Sequence, residues 1–217
     1  MCEELKAKGY VARWDGVFGT LNAFDGVFIH PASGSHPAVI LWPDIAGLRP
    51  AKVQMGRRLA EAGYAVLVAN PYYRSVSGQQ FADFDDWRNN DGWNKVTPWR
   101  EANTPEAVQE TARAVVAWLD EQDAVDSARG IGNQGYCMTG SWTILAATAV
   151  PGRIKAAGNT PEGVRRVITE RLDQQTPDPQ VEVRRLGHRG ARSRIISALK
   201  VPETKSFSFI IIHDPSS

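Results

Sequence analysis

The stretch GIGNQGYCMTGSW, residues 130–142, decides the fold. RGIGNQGYC reads as a short strand that runs into a tight turn, and MTGSWTILAATAVP as the helix leaving it, stopped by Pro151 and Gly152. Strand, sharp turn with small neighbours and helix together make a nucleophile elbow, which lifts the middle side chain above the sheet. A glycine two residues before that side chain keeps strand and helix from colliding. The helix N-terminus beside a thiol favours its thiolate form, and the N–H of Met138 would face a developing oxyanion. A second donor is expected from the loop WPDIAG, in the N–H of Ile45. The competing reading of a lone cysteine is a small, buried, inert side chain, but such a thiol needs no glycine beside it. Thr139 departs from the pattern: glycine or alanine is preferred there, and a β-branched side chain is expected to crowd the turn.

Upstream, the chain alternates strands and helices. Asp25–His30 reads as a strand closed by a Pro/Ser/Gly turn, and Ala38–Trp42 is a continuously apolar run bounded by prolines, as in a strand covered on both faces. RPAKVQMGRRLAEAGY is a helix with Val53, Leu59 and Ala60 on one face and Arg57, Arg58 and Glu61 on another, ended by Gly63. AVLVANP is the next buried strand. Residues 75–103, with three tryptophans and little periodicity, form a long excursion over the sheet edge with short helices. Thr104 then caps a helix with Pro105 in its first turn and a stripe of Ala107, Val108, Ala112, Val115, Val116 and Leu119. This order implies an α/β fold with a mostly parallel sheet flanked by helices.

The 217 residues are treated as a single domain, 1–217, with 42% hydrophobic and 23% charged residues. A net charge of +1 gives no electrostatic case for nucleic acid or an anionic membrane. Two cysteines, Cys2 and Cys137, argue against a disulfide framework and for a reducing, cytoplasmic setting. No run approaches the length of a membrane span. No cofactor or metal is expected: the four histidines are scattered, the cysteines lack paired ligand spacing, and GLRPAK lacks the ending of a phosphate loop.

These segments resemble the dienelactone hydrolase family of the α/β-hydrolase fold. The family's cysteine elbow usually reads G-Y-C-x-G-G, and here it is GYCMTG. HPAVILWPDIAGL, MGRRLAEAGYAVLVANPYYR and DAVDSARGIGNQGYCMTG follow the family in order, over about residues 20–158. The resemblance implies a carboxylic-ester or lactone hydrolase that opens a small-molecule substrate through a thioester. It implies Cys137 as nucleophile, with Ile45 and Met138 as oxyanion donors. Asp44 stands where the family has an acid that interacts with the resting cysteine. Arg74 stands where the family has an arginine that holds a substrate carboxylate, with Tyr73 beside it. For Asp44 and Arg74 the bland reading is a solvated loop charge.

Beyond Gly158 the pattern changes. All seven tryptophans lie at or before Trp142, and residues 159–217 hold eight of the eighteen arginines. The fold requires nucleophile, acid, then histidine in chain order, and the histidine must shuttle the proton and activate water. Only His188 and His213 follow Cys137, and the family's HG-aromatic loop has no counterpart. Asp214, after the strand candidate SFSFIII, matches the position of the triad acid; His188, with Asp173 or Asp178, is the other candidate base. The change at 158 suggests a truncated or frameshifted C-terminal side. The alternative function is therefore a catalytically impaired relative that binds at most a small ligand or partner. Residues 160–175 read as a helix, and VEVRRLGHRGARSRIISALK as a strand and a helix. RRLGHRGARSR lacks interleaved aromatics and reads as a solvated face rather than a nucleic-acid site.

Overall fold

The computed structural model describes residues 24–159 and, outside them, the backbone of three strands. The strands are β1 (Tyr10–Trp14), β2 (Gly26–Pro31), β3 (Ala38–Trp42), β4 (Ala65–Ala69), β5 (Ile131–Gly135), β6 (Ile154–Asn159), β7 (Val181–Arg184) and β8 (Ser208–Ile212). They form one sheet in the order β1-β2-β4-β3-β5-β6-β8-β7. The expected parallel centre is present: β4, β3, β5 and β6 run parallel. Both flanks are antiparallel, through β1 and β2 on one side and β8 and β7 on the other. The strands expected in VEVRR and SFSFIII are there, while β1 has no counterpart in the sequence reading. His188, Asp214, Asp173, Asp178, the helix expected over 160–175 and the one expected after VEVRR lie outside the described residues.

The apolar runs are strands because both faces are covered. Along β3, Ala38, Ile40 and Trp42 face one cluster, while Val39 and Leu41 face the other. In β4, Ala65, Leu67 and Ala69 oppose Val66 and Val68 in the same way. Helix α1 (Pro50–Glu61) covers the second face with Val53 and Ala60. Two short helices, α2 (Phe84–Asn89) and α3 (Gly92–Glu101), occupy the excursion. Helix α4 (Pro105–Asp120), whose Thr104 side chain accepts from the Ala107 N–H, covers the first face with Val108, Ala112, Val115 and Leu119. Helix α5 (Gly140–Ala149) packs beside it through Trp142, Ala146 and Ala147. Among the described residues, no helix is long and apolar enough to cross a membrane.

Candidate active site

Register brings the site together. Trp42, the last residue of β3, pairs with Gly135, the last residue of β5. The loops that leave them, carrying Ile45 and Met138, therefore start side by side at the carboxyl edge of the parallel strands. Leu41 pairs with Val68 in β4, so the loop Asn70–Arg74 emerges at the same level. Ligands of open α/β sheets bind at this edge.

Cys137 sits on the turn with a positive φ of 53°. Left-handed backbone costs a residue with a Cβ roughly 1–2 kcal/mol. The side chain is exposed, which excludes the buried inert thiol. Gly135 is required where it stands. A Cβ there would overlap the Thr139 carbonyl oxygen and lie 2.8 Å from Thr143 Cγ2. Thr139 does not crowd the turn as the sequence suggested. It is fully buried, its hydroxyl accepts from the Tyr136 N–H at 3.0 Å, and it lies 2.9 Å from the Trp42 carbonyl oxygen, to which it donates. The β-branched side chain thus ties the elbow to the end of β3. The buried Asn133 adds a second tie: its Oδ1 accepts from Trp42 Nε1 and its Nδ2 donates to the Thr143 carbonyl, both at 2.7 Å. The indoles of Trp42 and Trp142 meet edge to face, with centroids 5.6 Å apart.

Ile45 is buried and Met138 is partly buried, both in an apolar cluster with Tyr72, Phe81 and Val96. Among the described residues, no acceptor is bonded to the N–H of Ile45 or of Met138. An oxyanion site requires two such N–H groups that converge on one point.

Asp44 is not a solvated charge. Its carboxylate is gripped by the two terminal nitrogens of Arg49 at 2.6 and 2.8 Å, accepts from the Ala46 N–H, and lies 2.8 Å from Lys52 Nζ. Burial alone would raise its pKa, but Arg49 and Lys52 outweigh burial and hold it below the ordinary carboxylate range. Among the described residues, these groups rather than the thiol are its partners. Lys52 is itself buried, with its ammonium 4.1 Å from the Tyr136 ring centroid. Burial lowers the Lys52 pKa, while Asp44 and the neighbouring Cys137 act in the opposite sense. Arg49 and Lys52 escaped the sequence reading. The signal was the i, i+3 spacing of two cations at the start of α1, next to an acid in the preceding loop.

Arg74 is not a free loop charge either. Its guanidinium donates to Thr111 Oγ1, the Ala107 carbonyl and Glu110, all on α4. Tyr73 is buried, with its hydroxyl 2.8 Å from the same Thr111 hydroxyl. Both side chains are thus anchored on α4, which covers the first sheet face. The described histidines are His30 and His36. Each bonds a backbone carbonyl of its own segment, Pro31 and Ser33 respectively.

A structure from Klebsiella pneumoniae subsp. pneumoniae MGH 78578, described as a dienelactone hydrolase, is 21% identical, with a TM-score of 0.51 over 68% of this chain and 58% of its own; this likeness concerns the fold. A dienelactone hydrolase-like promiscuous phosphotriesterase, P91, from metagenomic libraries is 23% identical, with a TM-score of 0.45 over 64% of this chain and 54% of its own. The chain thus spans between half and two thirds of the length of these solved structures. No curated protein matches it. The model of the dienelactone hydrolase family matches residues 24–178 and so runs past the change in character near Gly158. With that match over most of its length and a cysteine elbow in place, the chain belongs to the dienelactone hydrolase family.

Proposed function

We propose that the protein is a carboxylic-ester or lactone hydrolase acting on a small molecule through a Cys137 thioester. The observation that carries this reading is the exposed cysteine at φ 53°, on a turn whose neighbouring loop holds an Ile45 N–H that no acceptor among the described residues engages. The Cys137 thiolate attacks the acyl carbon. The carbonyl oxygen takes up the electron pair and is held by the N–H groups of Ile45 and Met138. The carbon–oxygen bond to the leaving group then breaks and leaves the thioester. Arg74 and Tyr73 orient the substrate from the wall formed with α4. Water clears the thioester, with His188 as base or Asp214 as the acid behind a base. A free thiol of this kind suits a reducing, cytoplasmic compartment.

A second reading is a relative that forms the thioester but cannot clear it. It is favoured by the two described histidines, His30 in β2 and His36 just before β3, whose rings bond the carbonyls of Pro31 and Ser33. A pre-steady-state time course with a chromogenic acetate ester separates the readings. A burst followed by steady turnover, both lost in Cys137→Ala, is expected. A burst of about one equivalent that stalls selects the impaired relative. Turnover that survives Cys137→Ala sinks the cysteine mechanism.

A further inference from the structure

We infer that the Tyr72 hydroxyl is a positioning group for the oxyanion site, holding the Ile45 loop against the elbow. The inference rests on the hydrolase reading above. Tyr72 is fully buried, and its hydroxyl donates to the Ile45 carbonyl at 2.7 Å. The same oxygen lies 3.7 Å from Met138 Sδ. One hydroxyl therefore touches Ile45 and Met138, the two proposed donors, which lie on two different loops. Its own place is fixed twice. The Tyr72 N–H donates to Asn70 Oδ1 at 2.8 Å, and Asn70 is buried and bonded to Asp25. The ring packs on Trp99 of α3, with centroids 5.4 Å apart.

Ile45 is held from the other side as well. The preceding residue, Asp44, is clamped by Arg49 and Lys52. With its carbonyl on Tyr72 and its neighbour on two cations, the Ile45 backbone has little freedom to rotate. Preorganised donors contribute most when they need no reorganisation at the moment of reaction. The tryptophan-bearing excursion thereby gains a role: through Trp99 it backs Tyr72, and through Tyr72 it backs the oxyanion donor. Tyr72 is fully buried and acts through the loops it holds, not on the substrate.

The test compares two reactions of the same sulfur in a Cys2→Ser background. Acylation by p-nitrophenyl acetate passes through an oxyanion: sulfur bonds the acetyl carbon and p-nitrophenolate departs. Alkylation by iodoacetamide does not: sulfur bonds carbon, iodide departs, and no oxygen gains charge. Tyr72→Phe keeps the ring and removes the hydroxyl. The expected result is acylation slowed about tenfold or more, short of the roughly 10²–10³-fold cost of losing a donor outright, with alkylation within about twofold of the parent. Equal slowing of both reactions would assign the hydroxyl to the thiol or to general packing and overturn the inference. No change in either overturns it too. Should Tyr72→Phe fail to fold, Trp99→Leu loosens the same ring from behind, and the same drop in the acylation-to-alkylation ratio is expected; an unchanged ratio refutes the role. A parent protein that alkylates but never acylates removes the hydrolase reading itself, and the inference with it. That failure appears in the parent, not in the variant.

Discussion

Replacing Gly135 by alanine tests whether the elbow is built as described. The added Cβ would meet the Thr139 carbonyl oxygen, and would lie 2.9 Å from the Thr139 carbonyl carbon and 2.8 Å from Thr143 Cγ2. Two of these three atoms are backbone, and Thr139 is bound to Trp42 and Tyr136, so the turn cannot shift alone. Overpacking of a filled site costs about 1–3 kcal/mol. The backbone obstruction puts this case at the upper end, about 3 kcal/mol. For a chain of 150–250 residues each kcal/mol moves Tm by about 2–4 °C, so Gly135→Ala should lower it by roughly 6–12 °C. Gly152→Ala is the control, because a Cβ there meets nothing within 4 Å. It should leave Tm unchanged or raise it slightly, through the smaller entropy of the unfolded chain. Thermal unfolding followed by circular dichroism measures both. A Gly135→Ala protein that melts within about 2 °C of the parent would mean that strand and helix are not in close approach, and the elbow geometry would be wrong.

Three further outcomes are expected. Cys137→Gly should be more stable than Cys137→Ala by about 1 kcal/mol, because only the alanine keeps the left-handed strain; equal denaturant midpoints would show that the turn is relaxed. Thr139→Val should cost about 1–3 kcal/mol by leaving the Tyr136 N–H and Trp42 carbonyl without their partner, and a neutral result in urea unfolding would remove the hydroxyl from the account. The Asp44 carboxyl, with its pKa lowered in the folded protein, contributes stability that is complete above its unfolded pKa of about 3.9 and is lost as pH falls through the lower folded value. Asp44→Asn should therefore flatten the acid limb of a stability–pH curve, and an unchanged limb would show that Arg49 and Lys52 do not hold the carboxylate.

The parallel centre was legible because β3 and β4 are five-residue apolar runs buried on both faces, a pattern with few other readings. The elbow was legible because Gly135 and Cys137 obey a fixed spacing dictated by sterics. Thr139 was misjudged for the opposite reason. Volume is visible in a sequence, but the partner of a hydroxyl is not, and the Trp42 carbonyl lies 97 residues away in the chain. Tyr72 was overlooked beside Tyr73 and Arg74, since nothing local says which of two adjacent tyrosines turns toward Ile45. Strand β1 is as long as β3 and β4 but escaped because Arg13 breaks its apolar run, and among the described residues it pairs along β2 alone.

The edge-to-face contact of Trp42 and Trp142 gives the elbow an optical signature. One indole ends the strand that feeds the Ile45 loop, and the other lies in the helix that leaves Cys137. Their ring planes are inclined at 68° with centroids 5.6 Å apart, close enough for the two indole absorptions to couple. The circular-dichroism difference between the parent and Trp142→Phe, which keeps the Trp87–Trp93 pair, isolates this coupling and reports, without any label or substrate, whether the two halves of the proposed oxyanion site stand in register. It should vanish before the backbone signal does if the elbow loosens ahead of the sheet.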